Sequence, residues 1–120
     1  MEEQRKAVLI RPPLPCHWGP TDDCLRNGKV TRLSISYKTC FIQTKAPAND
    51  GQSMFVKIWL PDEMVRELSL AHNYLLLRGQ VVRYSPKIGF GLHFGELSEG
   101  EGEMLSILIG HLCEKPASGS

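Results

Sequence analysis

The stretch from Leu75 to Phe94, LLLRGQVVRYSPKIGFGLHF, constrains the fold most, because it reads as two strands and the turn between them. Its first run, Leu75–Tyr84, is dense in Leu and Val and is interrupted by Gly79. Its second run, Ile88–Phe94, alternates strictly: Phe90, Leu92 and Phe94 fall on one face, Gly89, Gly91 and His93 on the other. A period of two is the mark of a half-buried strand. Ser85-Pro86-Lys87 punctuates the runs as a turn, since proline pre-sets φ and Gly89 follows. The face opposite the aromatics carries almost no bulk, so a backbone, a loop or a flat ligand can lie close against it. Plain strand bending accounts for the glycines equally well.

The rest of the chain supplies further short strands. Residues 1–28 read as mostly irregular: the apolar run Ala7–Ile10 is stopped by Pro12, Pro13 and Pro15. Cys16-His17-Trp18 then begins a strand before the turn-rich residues 19–23, with Trp18 a packing residue. Asn27-Gly28 signals a turn, because both residues tolerate positive φ. Lys29–Ile35 alternates, with Leu33 and Ile35 opposite Arg32 and Ser34, and breaks at Ser36-Tyr37-Lys38. Thr39–Thr44 is β-branched and aromatic, which suits a pleated surface. After a loop over Lys45–Gln52, Ser53–Leu60 sets Met54, Val56, Ile58 and Leu60 against Phe55, Lys57 and Trp59.

Two segments have helical features. Pro61-Asp62-Glu63 opens a short helix near 62–70, with acids at the positive end of the dipole and Met64, Val65 and Leu68 on one side. A strand at Glu67–Leu70 pairing with Tyr74–Leu77 is the rival reading. Towards the C-terminus, Ser98 and Glu101 form a capping box, and Leu97 stands where a hydrophobic staple begins. Met104, Leu105, Leu108 and Leu112 recur at helical spacing, with Ile109 at the border. Their burial is worth roughly 6–12 kcal/mol at most, enough to dock the helix. Residues 1–114 thus form one domain and 115–120 a flexible tail. Five or six short antiparallel strands are most economically closed into a small barrel, because closure removes exposed edges.

Charge and cysteine content exclude several classes of function. With 14 Lys and Arg against 13 Asp and Glu, the chain offers no broad field for a nucleic-acid polymer. No apolar run approaches the roughly 18 residues that cross a bilayer, and the start is charged, with an apolar part too short for a secretory signal. A cytoplasmic protein is expected. Cys16, Cys24, Cys40 and Cys113 include no Cys-x-x-Cys pair, so free thiols are expected rather than zinc, even where Cys16, His17 and Cys24 cluster. His17, His72, His93 and His111 are scattered, and no nucleophile turn or carboxylate pair stands out. No catalytic residue and no cofactor is expected.

The segment Val30–Phe94 resembles a PilZ domain, a six-stranded antiparallel barrel followed by a C-terminal helix. The likeness rests on LSISYKTCFIQT at Leu33–Thr44, on the phrases LRGQVVRY and IGFGLHFGEL, and on the helix after Leu97. It covers roughly residues 5–113. It implies a bacterial signalling module whose family ligand, cyclic di-GMP, is held by Arg-x-x-x-Arg and [Asp/Asn]-x-Ser-x-x-Gly. Planar guanidinium groups suit the phosphates and guanine edges of that ligand.

The chain departs from both motifs. Ser34, Ser36 and Thr39 take the acidic, serine and glycine positions, so only Ser36 matches. Arg5 and Arg11 are six apart, with Arg11 the better-placed clamp and Arg26 or Arg32 its substitutes. Losing two charge-assisted bonds weakens binding by roughly 10²–10⁴-fold. The resemblance then implies an adaptor acting through a protein partner, with nucleotide binding weak, altered or absent. Phe55, Trp59, Arg83 and His93 are the candidate partner surface. A direct cyclic di-GMP receptor using non-standard residues is the alternative, and a small nucleic-acid-binding barrel a third reading.

Overall fold

A computed structural model describes residues 8–34 and 38–118, with side chains as far as Leu112 except that of Arg11. Its six strands are β1 (Val8–Gly19), β2 (Arg26–Ser34), β3 (Thr39–Gln43), β4 (Ser53–Trp59), β5 (Tyr74–Ser85) and β6 (Gly89–His93). They close into an antiparallel barrel in the order β1-β2-β3-β6-β5-β4, with β4 returning to β1. Among the described residues two helices complete the fold, α1 (Asp62–Leu68) and α2 (Glu99–Ser118).

The alternations expected from sequence line the interior. Met54, Val56 and Ile58 of β4, Phe90 and Leu92 of β6, and Phe94 just beyond it are all buried. Trp18 sits among them with no exposed surface, its ring edge-on to Phe90 at 4.8 Å between centroids. Its indole N–H donates to the Asn27 carbonyl at 3.1 Å, which satisfies a polar atom that burial would otherwise strand.

Closure requires one strand to serve both sides of the barrel, and β5 does so. Its first half pairs with β4, from Trp59↔Tyr74 to Ser53↔Gln80, and its second half with β6, from Gln80↔His93 to Ser85↔Gly89. Gly79 stands at that crossover. A Cβ there would collide with the His93 carbonyl, so the corner accepts only glycine.

The N-terminal segment is more ordered than its prolines suggest. Residues 1–28, expected to be mostly irregular, contain all of β1 and the start of β2. The register of β1 on β2 slips between Leu9 and Leu14, and β1 meets β4 only over Cys16–Gly19. Pro12 and Pro13 therefore fall in the slip, and Pro15 lies where no β4 partner needs its missing N–H. Asn27-Gly28 is not a turn but strand, paired with His17 and Cys16. Gly28 makes room for the core instead: a Cβ there would sit 2.8 Å from Ile42 Cγ2 and 3.0 Å from Trp18 Cδ1.

Both helices form, and the rival strand at Glu67–Leu70 does not. Helix α1 ends at Ser69, which takes the left-handed conformation with φ 53°. It buries Met64, while Leu68 remains exposed, because one short helix reaches the core with a single turn. The capping box holds α2 as the sequence indicates. The Ser98 N–H donates to Glu101 Oε1 at 2.9 Å, and the Glu101 N–H to Ser98 Oγ at 3.1 Å. Leu105 and Leu108 join the barrel core, with Leu97, Met104, Ile109 and Leu112 packed at its margin. The helix continues to Ser118, beyond the expected start of the tail at residue 115.

Candidate functional site

The outer wall of β2, β3, β6 and β5 carries one transverse row of paired residues. Arg32 pairs with Phe41, Phe41 with Gly91, and Gly91 with Arg83. Neighbouring strands lie about 4.8 Å apart, so the two arginine Cα atoms stand about 14 Å apart measured along the curve of the wall. Two residues along the strands from Phe41 and Gly91, the pair Thr39↔His93 extends the same surface.

A register slip decides what β5 shows there. Between Val81 and Arg83 the pairing with β6 shifts, so Val81 is buried while Val82 and Arg83 both face solvent. A bulge re-aims side chains in this way. The result is an open groove of about 610 Å³, floored by Phe41, Val82 and Gly91 and rimmed by Arg32, Arg83, Thr39 and His93. Gly91 keeps the floor low, since a Cβ would already press on Val82 Cγ2 at 3.3 Å.

Among the described residues, no acid lines this groove. Among the described residues neither Arg32 nor Arg83 takes part in an ion pair; the histidine–carboxylate contact is elsewhere, His111 to Glu63 at 3.5 Å. His93 accepts the Gly95 N–H at Nδ1 over 3.2 Å, which leaves Nε2 to carry its proton. The groove can therefore hold an anion against an apolar floor. Its thiol neighbour Cys40 is no nucleophile, because complete burial raises its pKa well above the ordinary range.

The wall of β1, β4 and the first half of β5 is built differently. The Trp59 indole N–H donates to His17 Nδ1 at 2.8 Å. Trp59 also stacks edge-on with His17 and with Tyr74, each at 5.7 Å between centroids. The Lys57 ammonium lies 4.7 Å from the Tyr74 ring centre, and His72 lies against the same ring. These polar and aromatic groups satisfy one another.

The residues singled out from sequence separate accordingly. Arg83 and His93 share the groove, whereas Trp59 belongs to the aromatic wall. Phe55 lies in a second depression with Leu76, Arg78, Phe94, Glu96 and Glu101, so the four do not form one surface. Of the residues laid onto the nucleotide motifs, Ser34 and Thr39 are paired across β2 and β3. Thr39 rims the groove, but Ser34 is only 4 % exposed. Arg5, Ser36 and the Arg11 side chain lie outside the described residues. Arg26 serves the core, 5.2 Å over the Trp18 ring.

Cys16 and Cys24 lie near one another, but His17 does not join them. Cys16 points into the barrel and His17 out of it to Trp59, as successive strand residues must. Burial, reinforced by the nearby Cys24, pushes the Cys16 thiol up to about 12. No cluster of three or more metal-ligating side chains occurs among the described residues. Nor, among them, is any helix long and apolar enough to cross a membrane. Phe41 and Val82 are the site residues that sequence reading missed, since the bulge that exposes Val82 has no signature in LRGQVVRY.

Comparison of the chain with known protein families, with characterised proteins and with solved structures yields no match.

Proposed function

We propose that this chain is a non-catalytic, PilZ-like module of bacterial cyclic di-GMP signalling, acting in the cytoplasm as an adaptor through contact with a protein partner. The observation that carries this reading is the groove on β2, β3, β6 and β5, where two arginines with no ion-pair partner among the described residues flank an apolar floor. Such a surface binds without turning over, since its one thiol is buried and protonated. Nucleotide binding is weak, altered or absent, because Ser34 replaces the motif's acid and is covered, and Thr39 replaces its glycine.

Calorimetric titration with cyclic di-GMP tests the reading. The expected dissociation constant is weaker than about 100 µM, the result of losing charge-assisted bonds from a micromolar site. Saturable micromolar binding would contradict it. One observation favours the direct receptor as a second reading: Thr39 shares its groove with Arg32 and Arg83, which are free to replace the missing arginine pair. In that case Arg32→Ala or Arg11→Ala would abolish the heat.

A further inference from the structure

We propose that the groove between Arg32 and Arg83 is the docking site for an acidic amphipathic helix of a partner protein. The inference rests on the adaptor reading above and names the chemistry of its partner. Charge complementarity is the first ground. Arg32 and Arg83 rim the groove and, among the described residues, no acid lines it, although the chain as a whole is close to neutral at +1.

Shape excludes other occupants. The groove is an open trough along a sheet wall, whereas small ligands are held by burying about 70–90 % of their surface. The barrel is closed: β2, β3 and β6 are each paired on both sides along this wall, and the outer edge of β5 is met by the loop at Asp50–Gln52, which bonds the backbone of Val81 and the Tyr84 N–H. An extended peptide therefore finds no free edge, and its backbone groups would face side chains that cannot pair them. A helix satisfies its own backbone and brings only side chains.

Spacing then fixes the pattern. Side chains at i and i+7 of a helix share a face and stand about 10.5 Å apart along its axis. Two arginines whose Cα atoms are about 14 Å apart along the curved wall, and closer in a straight line, can reach carboxylates at that separation. Between them, residues i+3 and i+4 come down on Phe41, Val82 and Gly91. Val82 is 52 % exposed, so the floor offers apolar surface that a Leu or Met would cover. The partner sequence is therefore acid-x-x-apolar-apolar-x-x-acid.

The experiment uses the full chain and a labelled, end-capped alanine-rich helical peptide carrying Glu at i and i+7 and Leu at i+3 and i+4. Anisotropy should show saturable binding that weakens as salt rises. Arg32→Glu and Arg83→Glu should each weaken it at least tenfold. The double reversal should lose the Glu peptide and gain a matching Lys peptide. Both arginines are exposed, and circular dichroism melts establish that the variants are folded. Failure of the wild type to bind, or affinity unmoved by either reversal, overturns the proposal. Cyclic di-GMP titrated in parallel separates the two readings. Micromolar nucleotide binding that displaces the peptide would sink the weak-nucleotide part of the adaptor reading and leave the docking groove standing. Absence of both ligands overturns the groove and leaves the adaptor reading to another face.

Discussion

The two walls of this barrel are made from the same kind of strand and end in opposite states. On β1, β4 and the first half of β5, every outward polar or aromatic group near Trp59 has a partner within the chain: His17, Tyr74, Lys57 and His72. On β2, β3, β6 and the second half of β5, Arg32 and Arg83 have none among the described residues, and Val82 stands exposed beside Arg83. The difference lies in local chain geometry. A register slip turns Val82 and Arg83 outward together, and Gly91 withholds the side chain that would cover them. Groups that satisfy each other stabilise a fold; groups left unsatisfied at a surface are available to something else.

The comparison is broken most severely at Gly79, where β5 passes from one wall to the other. Gly79→Ala drives a Cβ into the His93 carbonyl, a backbone atom that cannot step aside. A loss of about 3 kcal/mol or more is expected in denaturant unfolding. A variant as stable as the parent would mean that the crossover is not at this residue.

Alkaline pH attacks the interior that both walls share. The Cys16 pKa is raised from 9.0 to about 12 by burial, and that of Cys40 is raised by burial also. A thiol that resists ionising only when folded contributes stability that is complete below pH 9 and declines as pH climbs towards 12. Unfolding midpoints followed from pH 8 upward should fall, and should fall less in Cys16→Ala once its lower starting stability is allowed for.

Smaller effects sharpen the contrast between the walls themselves. Trp59→Phe removes the donor to His17 Nδ1 and should cost about 1 kcal/mol. A double-mutant cycle with His17→Ala would show coupling between the two. Arg32→Ala and Arg83→Ala should stay within about 0.5 kcal/mol of the parent in the same assay, since no intramolecular partner is lost. If they matched the Trp59 effect, the arginines would be structural and the contrast would disappear.

Much of the fold was legible because burial imposes periods. Phe90, Leu92 and Phe94, then Met54, Val56 and Ile58, announce inward faces by alternation, and Ser98 with Glu101 announces a helix start. Local punctuation misled where tertiary context overrode it. Pro12, Pro13 and Pro15 broke the apparent strand on paper, yet β1 passes through them because part of its length is unpaired. Asn27-Gly28 spelled a turn but exists to admit Trp18. The groove was the least legible part. Arg32, Phe41, Gly91 and Arg83 come from four strands, and only the register brings them into one row. Gly91 and Arg83 stood out individually, whereas Phe41 and Val82 read as ordinary strand residues.

The most direct test is an amide chemical-shift map recorded while the acidic helical peptide is titrated into the labelled protein. The expected result is a continuous set of shifts over Arg32, Phe41, Gly91, Val82 and Arg83, with His17, Trp59 and Tyr74 unmoved. Shifts centred on Trp59 and Tyr74, with the arginine row silent, would contradict the assignment of the recognition face.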